Sequence, residues 1–251
     1  MGSVWAETLT QARDMLRNWE AYGMKGVPGM GRDMRTLSLD VLATIGFQRS
    51  YKFKPYDKTV SEDPEAQDYR DALGLVLDNA LTLMALPSVI FSFPFLPRKM
   101  RLLGLATERF RRYMLDMLET ESKLISKGET GTSTLMTSFA RALHDGRKTV
   151  DIAVGHNAPH SIGLNIEEVL GNIFAINFAG HDTTANTLAF AMLMLAACPD
   201  VQNWLSEEIQ ANIEESSGVS WEYEKLFPRL KRCQAVMVSD IAHNLYCHQL
   251  T

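Results

Sequence analysis

A short polar block lies within a long, mostly apolar helical stretch of this 251-residue sequence. Its His181 and Asp182 side chains can hold, donate or accept protons in catalysis. An acid beside two hydroxyls on a buried helix must find partners or water, and Gly180 weakens a helix by roughly 1 kcal/mol relative to alanine. Two interpretations of the block stay open. It is a site that handles protons, or it is structural, with threonine hydroxyls that bond to the preceding turn and an acid that faces solvent. These residues alone favour the structural interpretation. The block reads Ala179, Gly180, His181, Asp182, Thr183 and Thr184.

The elements that must position this block are helices. Apolar residues recur at three- and four-residue steps through most of the chain, and no window shows sustained period-2 alternation. The sequence therefore predicts a mostly α fold, one domain or part of one, with one long central helix that ends before Pro199. The predicted helices cover residues 4–22, 32–46, 65–86, 104–127, 161–197 and 199–215.

Composition narrows the classes of partner. Hydrophobic residues make up 46% and charged residues 22% of the chain, and the net charge is −5. These values favour a globular protein and argue against a nucleic-acid binder, so we expect an apolar small molecule as partner. We interpret the three scattered cysteines, Cys198, Cys233 and Cys247, as free thiols in a reducing compartment.

The most apolar segment, residues 80–97, carries three prolines, Pro87, Pro94 and Pro97. Proline removes backbone donors and breaks helices, so this segment is not one transmembrane helix. An interfacial segment and a loop over an internal cavity are the two interpretations. With no signal peptide or membrane anchor, we expect a cytoplasmic protein, and peripheral association with an intracellular membrane stays open.

The polar block resembles the oxygen-activating helix of the cytochrome P450 family, whose pattern is small-Gly-x-acid-Thr-Thr. Other segments are similar to family helices in the same order, so we predict a partial cytochrome P450-like helical fold over residues 1–237 and a divergent tail over 238–251. The segments are WAETLTQARDMLRNW (5–19), RTLSLDVLATIGF (35–47), residues 94–117, PDVQNWLSEEI (199–209) and LFPRLKRCQAVM (226–237).

This resemblance assigns a role to each member of the block. Ala179 and Gly180 would form the haem-facing surface, and Thr184 would be a further hydroxyl behind it. Asp182 and Thr183 would relay protons to bound oxygen. In a haem-free enzyme, Asp182 or His181 would instead donate a proton or polarise the substrate.

Two family motifs are absent from the sequence. The Glu-x-x-Arg motif does not follow Met237, and Glu108 with Arg111 is better explained as a surface ion pair. No cysteine lies in a glycine-rich loop, so we expect no haem and no other cofactor. His243 and Cys247 have helical spacing for half a metal site, but no second pair completes it, and we predict no metal.

These features leave three functions open. The first is a truncated protein derived from a haem-thiolate monooxygenase that acts on apolar metabolites, but it is not autonomous. The second is a haem-free, pericyclase-like cyclase or isomerase of secondary metabolism that uses the remaining apolar pocket. The third is a noncatalytic helper or ligand-binding protein. We also expect association, as a homo-oligomer or with a full-length monooxygenase, because the long helix lacks cover.

Overall fold

The computed structural model describes residues 1–47, 50–55, 69–86, 90–91, 93, 95–127, 134–152, 164–214 and 221–238. No β-strand occurs among them, which confirms the mostly α fold. The predicted tail, Cys247 and the His243 half-site lie outside this part. The helices are α1 (Gly2–Glu20), α2 (Met30–Phe47), α3 (Tyr69–Asp78), α4 (Ala80–Ala85), α5 (Arg98–Ser126), α6 (Leu135–Ile152), α7 (Ile166–Ala197), α8 (Pro199–Glu214) and α9 (Tyr223–Leu226), with 3₁₀ turns at Gly23–Lys25 and Phe227–Arg229.

The chain divides into two compact units. The first comprises Met1–Val41, Lys52–Tyr56 and Asp182–Thr251, and the second comprises Leu42–Tyr51 and Asp57–His181. Helices α2 and α7 therefore each contribute one end to one unit and the other end to the other.

The core of the first unit joins α1, α2 and the second half of α7. The indole Nε1 of Trp19 donates a 2.8 Å hydrogen bond to Oδ2 of the buried Asp33 and so ties α1 to α2. Gly23 and Gly26 lie between these helices with φ of 54° and 72°, a region that glycine enters with little strain. The buried apolar side chains are Met15, Met34, Leu37, Phe53 and Ala185.

Helix α5 is the centre of the second unit and packs against α3 and α6. Its buried residues recur at helical spacing and give it one continuous apolar stripe. On its outer side, Arg111 donates to the Glu167 carboxylate at 2.7 Å, whereas Glu108 pairs with Arg112. The predicted Glu108–Arg111 ion pair is therefore wrong, because Arg111 reaches the first turn of α7 instead. The stripe consists of Leu103, Ala106, Phe110, Met114, Met117 and Leu118.

At three places the observed helices differ from the predicted ones. Helix α7 begins at Ile166 because Asn165 and Glu168 cap it reciprocally: Asn165 Oδ1 accepts from the Glu168 N–H at 2.9 Å, and Glu168 Oε2 accepts from the Asn165 N–H at 2.7 Å. The predicted helix over 65–86 is two helices, which break at Asn79. Helix α5 begins earlier than predicted, directly after Pro97.

Two of these helices bear on membrane insertion. No single described helix is long and apolar enough to cross a bilayer, and α7 passes that test only together with Pro199–Ile213, across a bend of 108°.

A carboxylate of α8 holds the helical segment over residues 231–238. Glu208 accepts the backbone N–H groups of Arg232, at 2.8 Å, and Cys233, at 3.2 Å. Partial burial works against ionisation of Glu208, but these N–H groups prevail and lower its pKa below the ordinary 4.5. The ionised carboxylate is therefore the form that joins α8 to this segment.

This contact predicts a specific pH dependence of stability. Because the pKa of Glu208 is lower in the folded than in the unfolded chain, its contribution is complete above about pH 4.5 and is lost as the pH falls through the folded pKa. Urea unfolding at pH 7 and below pH 4 should show a larger loss of stability for the wild type than for Glu208→Gln. Equal losses in the two proteins would contradict this role of Glu208.

Candidate functional site

Helix α7 carries the polar block and leaves small side chains exposed next to it. In the second unit, Ala175, Ile176 and Ala179 are exposed. In the first unit, Thr183, Thr184 and Asn186 are exposed. Ala179 and Thr183 are four residues apart and so lie one above the other on the helix surface. The structure therefore presents two of the predicted site residues on the same exposed face of α7.

His181 belongs to the opposite, buried side of the helix. Its side chain is only 2% exposed, and it continues a stripe in which Ile173, Asn177 and Ala185 are fully buried. Asn177 satisfies its own amide nitrogen by donating to the Ile173 carbonyl at 2.7 Å. Since His181 and Thr183 are about 200° apart around a helix, the structure does not bring His181 together with Thr183.

Gly180 lies where this chain would tolerate a side chain. A Cβ at this position would meet only Leu42 of α2, at 3.9 Å, which is ordinary van der Waals contact. Gly104 in α5 is different, because its Cβ would lie 2.9 Å from that of Phe91. The packing of the second unit thus requires glycine at 104 but not at 180.

Asp182 forms an ion pair with Arg35 of α2 within the first unit. Nε of Arg35 lies 3.2 Å from Oδ1 of Asp182, and the two side chains are 42% and 38% exposed. No sequence signal singled out Arg35, because its partner lies far along the chain. The guanidinium supplies the counter-charge that an acid on an apolar helix needs.

The threonines differ from Asp182 in their surroundings. Thr183 and Thr184 are exposed, and the Thr183 carbonyl accepts the Thr187 hydroxyl at 2.9 Å. Threonine back-bonding of this kind bends helices slightly. The face of α7 that carries the Thr183 and Thr184 hydroxyls is therefore exposed.

The described residues contain no group of three or more His, Cys, Asp or Glu side chains that could hold a metal ion. Cys198 and Cys233 carry free thiols, as the sequence predicts. Burial, and then the nearby Glu208 carboxylate, raise the pKa of the Cys233 thiol above its ordinary 9.0. Both effects disfavour the thiolate of Cys233.

An all-α fold with one long helix that presents a small residue, a glycine and an acid-threonine pair defines a narrow class of protein. The family model for cytochrome P450 matches residues 8–233 of the chain. The chain belongs to the cytochrome P450 family, which confirms the predicted resemblance and the partial P450-like helical fold.

Individual relatives agree with this assignment. The chain is 24% identical over 243 residues to a cytochrome P450 monooxygenase of Arthrobotrys oligospora, covering 93% of this chain and 41% of that protein. It is 27% identical over 208 residues to the phomenoic acid biosynthesis cluster cytochrome P450 monooxygenase of Leptosphaeria maculans, covering 80% and 34%. A crystal structure of a cytochrome P450 has the same fold, with a TM-score of 0.60 at 17% identity, over 96% of this chain and 49% of its own. The chain thus spans about two fifths of its relatives' length.

These findings overturn the expectation that the protein uses no cofactor. Membership of the family points to haem, because haem is the family's cofactor. The expectation was wrong because it relied on one missing ligand motif, whereas the match extends over most of the chain. The hypothesis of a haem-free cyclase assumed that no haem is used, so it loses its basis.

The residues present fit one side of a haem site. Ala179 is small and exposed, whereas Gly180 is partly covered by Leu42. The small side chain of Ala179 leaves room on its side of α7 for a flat macrocycle. These two residues would face the haem, and the exposed hydroxyls of Thr183 and Thr184 follow them on the helix.

Two glycine substitutions test whether Gly180 is kept for a ligand or for packing. Gly180→Ala should leave the stability of the chain unchanged or raise it by up to about 1 kcal/mol, because alanine favours helix and meets only Leu42. Gly104→Ala is the matched control and should destabilise, because its Cβ would clash with Phe91. Urea unfolding measures both, and a clear loss of stability in Gly180→Ala would contradict the assignment.

Proposed function

We propose that this chain provides the oxygen-facing and substrate-facing helices of a haem monooxygenase that acts on apolar metabolites. The observation that carries the proposal is the exposed face of α7, where Ala179 and Thr183 lie one turn apart next to Gly180 and Asp182. Small side chains there leave room for a ligand, and the acid and hydroxyl beside them can handle protons.

Haem supplies the redox chemistry of oxygen activation when it is bound. The chain's own residues move protons beside it: the Asp182 carboxyl takes up a proton from solvent at one of its oxygens, and the Thr183 hydroxyl delivers a proton at the exposed face of α7. Thr184 provides a second hydroxyl next to Thr183. His181 has no part in this relay because it lies on the buried side of the helix.

The substrate class follows from the side chains that continue this face. Ala175 and Ile176 are exposed one turn before Ala179, and Ile176 exposes 39% of its surface. An apolar ligand covers such a surface with a gain of roughly 25 cal/mol per Å² buried. The relative from Leptosphaeria maculans is named for a biosynthesis cluster, which supports a role in secondary metabolism.

This chain does not turn over substrate by itself in this proposal. It spans 41% and 34% of the length of the two relatives described. Activity therefore depends on parts of the family fold that complete the haem site from its other side.

Haem binding to the purified chain tests the exposed face directly. Titration followed by the haem absorption band should show saturable binding, and Ala179→Leu should weaken it about tenfold, since overpacking costs roughly 1–3 kcal/mol. The matched control is Ala196→Leu, which enlarges another exposed alanine of α7 and should leave the affinity unchanged. Asp182→Asn should also bind haem normally, because the relay acts after binding.

Two results would overturn this function. Haem affinity that falls equally in Ala179→Leu and Ala196→Leu would mean nonspecific association with the helix. Hydroxylation of an apolar substrate by the chain alone, with haem and an electron donor, would show an autonomous enzyme.

We also propose that the chain associates peripherally with an intracellular membrane through the second unit. Phe93 and Phe95 expose 57% and 97% of their surface. Arg98, Lys99 and Arg101 follow directly and are also exposed. Aromatic side chains beside basic ones suit the interface of an anionic bilayer.

Cosedimentation with phosphatidylserine vesicles tests this surface. Replacing both Phe93 and Phe95 by serine should lower the bound fraction more than tenfold, since burial of each phenylalanine contributes about 1.5–3 kcal/mol. Met24→Ser, which removes a fully exposed apolar side chain from the first unit, is the control. Unchanged binding of the double variant would contradict the proposal.

A further inference from the structure

The second unit contains a cavity that is separate from the exposed face of α7. It lies between α5, α6 and the first residue of α7, and its volume is about 300 Å³. Pockets that bind small molecules have volumes of roughly 300–1,000 Å³, so this cavity admits a ligand at the small end of that range. Ile166 lines the cavity and lies about 20 Å from Ala179 along α7. A ligand in this cavity therefore does not touch the residues proposed to face haem.

One side of α5 gives the cavity an apolar part and a polar part. The side chains that α5 contributes recur at positions i, i+3, i+4 and i+7, which lie on one side of a helix: Leu115, Leu118, Glu119 and Ser122. Leu118 is buried, whereas Glu119 is exposed. The cavity wall therefore changes from apolar inside to polar at its mouth, within about 10 Å along α5.

The other two helices extend both parts of the wall. Leu143 of α6 and Ile166 of α7 add apolar side chains, and His144 of α6 adds an imidazole. Ile166 exposes 38% of its surface, although it is apolar. Removing such surface from water favours binding, so the cavity selects a ligand whose larger part is apolar.

The charge at the mouth of the cavity selects the polar group of the ligand. Nζ of Lys123 donates to Oε1 of Glu119 at 2.7 Å, and this hydrogen bond, together with the positive charge of Lys123, lowers the pKa of Glu119 below its ordinary 4.5. The Glu119 carboxylate is therefore ionised at neutral pH and repels a ligand that is itself an anion. A carboxylate has about four lone-pair sites, so Glu119 can accept a further donor. Because Lys123 already supplies the cation, a neutral hydroxyl suits this carboxylate better than an ammonium does.

We propose that this cavity binds a small apolar alcohol, with its carbon skeleton against Leu118, Leu143 and Ile166 and its hydroxyl donating to the Glu119 carboxylate. A hydroxyl that donates to an ionised carboxylate forms a stronger hydrogen bond than it does with a neutral acceptor. The ligand is bound and released unchanged. The site needs no haem, so its test does not depend on the proposed function.

Calorimetric titration of the purified chain with menthol and menthone tests the site. The two molecules share a carbon skeleton, but menthone has a ketone in place of the hydroxyl and cannot donate. Menthol should bind saturably and about tenfold more tightly than menthone. Glu119→Gln should weaken menthol binding about fivefold and leave menthone binding unchanged, because the amide keeps the size but not the charge. Glu108→Gln is the matched control, since Glu108 also pairs with a cation four residues further along α5 but does not line the cavity.

A second pair of variants tests the apolar wall. Ile166→Ser should weaken the binding of both molecules about fivefold, and Ile209→Ser, which changes an isoleucine of α8 with 37% exposure, should not. The substituted side chains are exposed, so the variants should fold, and circular dichroism checks that they do. Equal affinities of menthol and menthone for the wild type, or equal weakening in the two serine variants, would overturn the proposal. Menthol affinity that falls in Ile176→Ser but not in Ile166→Ser would also overturn it, because the ligand would then lie on the exposed face of α7.

Discussion

The carboxylate of Asp182, in the middle of an apolar helix, requires a counter-charge, and that requirement organises the site. An isolated charge taken out of water costs several kcal/mol, so Asp182 must keep water, a cation or both. Arg35 provides the cation at 3.2 Å, while about two fifths of each side chain stays exposed. Ion pairs that exposed contribute only about 0–1 kcal/mol to stability. The main consequence of this pair is therefore that it supplies the counter-charge of Asp182, and its contribution to stability is small.

Helix α7 also has apolar side chains that stay exposed in the described part of the chain. Helix α7 has an apolar composition on nearly all sides, which is typical of a helix that is covered all round. Ala185 is fully buried in the first unit, and Leu42 lies over Gly180 in the second. Ile176, Leu193 and Met194 stay exposed among the described residues. The chain spans about two fifths of its relatives' length, so in the proposed function haem and the rest of the family fold would cover this apolar surface.

Sequence reasoning succeeded where the signal was local. The periodicity of α7, the stop at Pro199 and the 179–184 block depend on neighbouring residues, and the structure places a helix there. The break at Asn79 was missed because its apolar period continues across it. Arg35 was missed because nothing near it marks a contact with α7. The cofactor was predicted wrongly for a related reason, since the absence of one motif outweighed a pattern spread over most of the chain.

The angle of about 100° between successive helical residues explains why the members of one short block have different surroundings. His181 and Thr183 are neighbours in sequence, yet about 200° separates them on α7. His181 faces the buried stripe with Asn177, and Thr183 faces outward with Ala179. Asp182 lies between these directions, where α2 can reach it with Arg35. The block therefore places a buried packing residue, an ion-paired acid and an exposed hydroxyl around a single turn of α7, because each has a different direction from the helix axis.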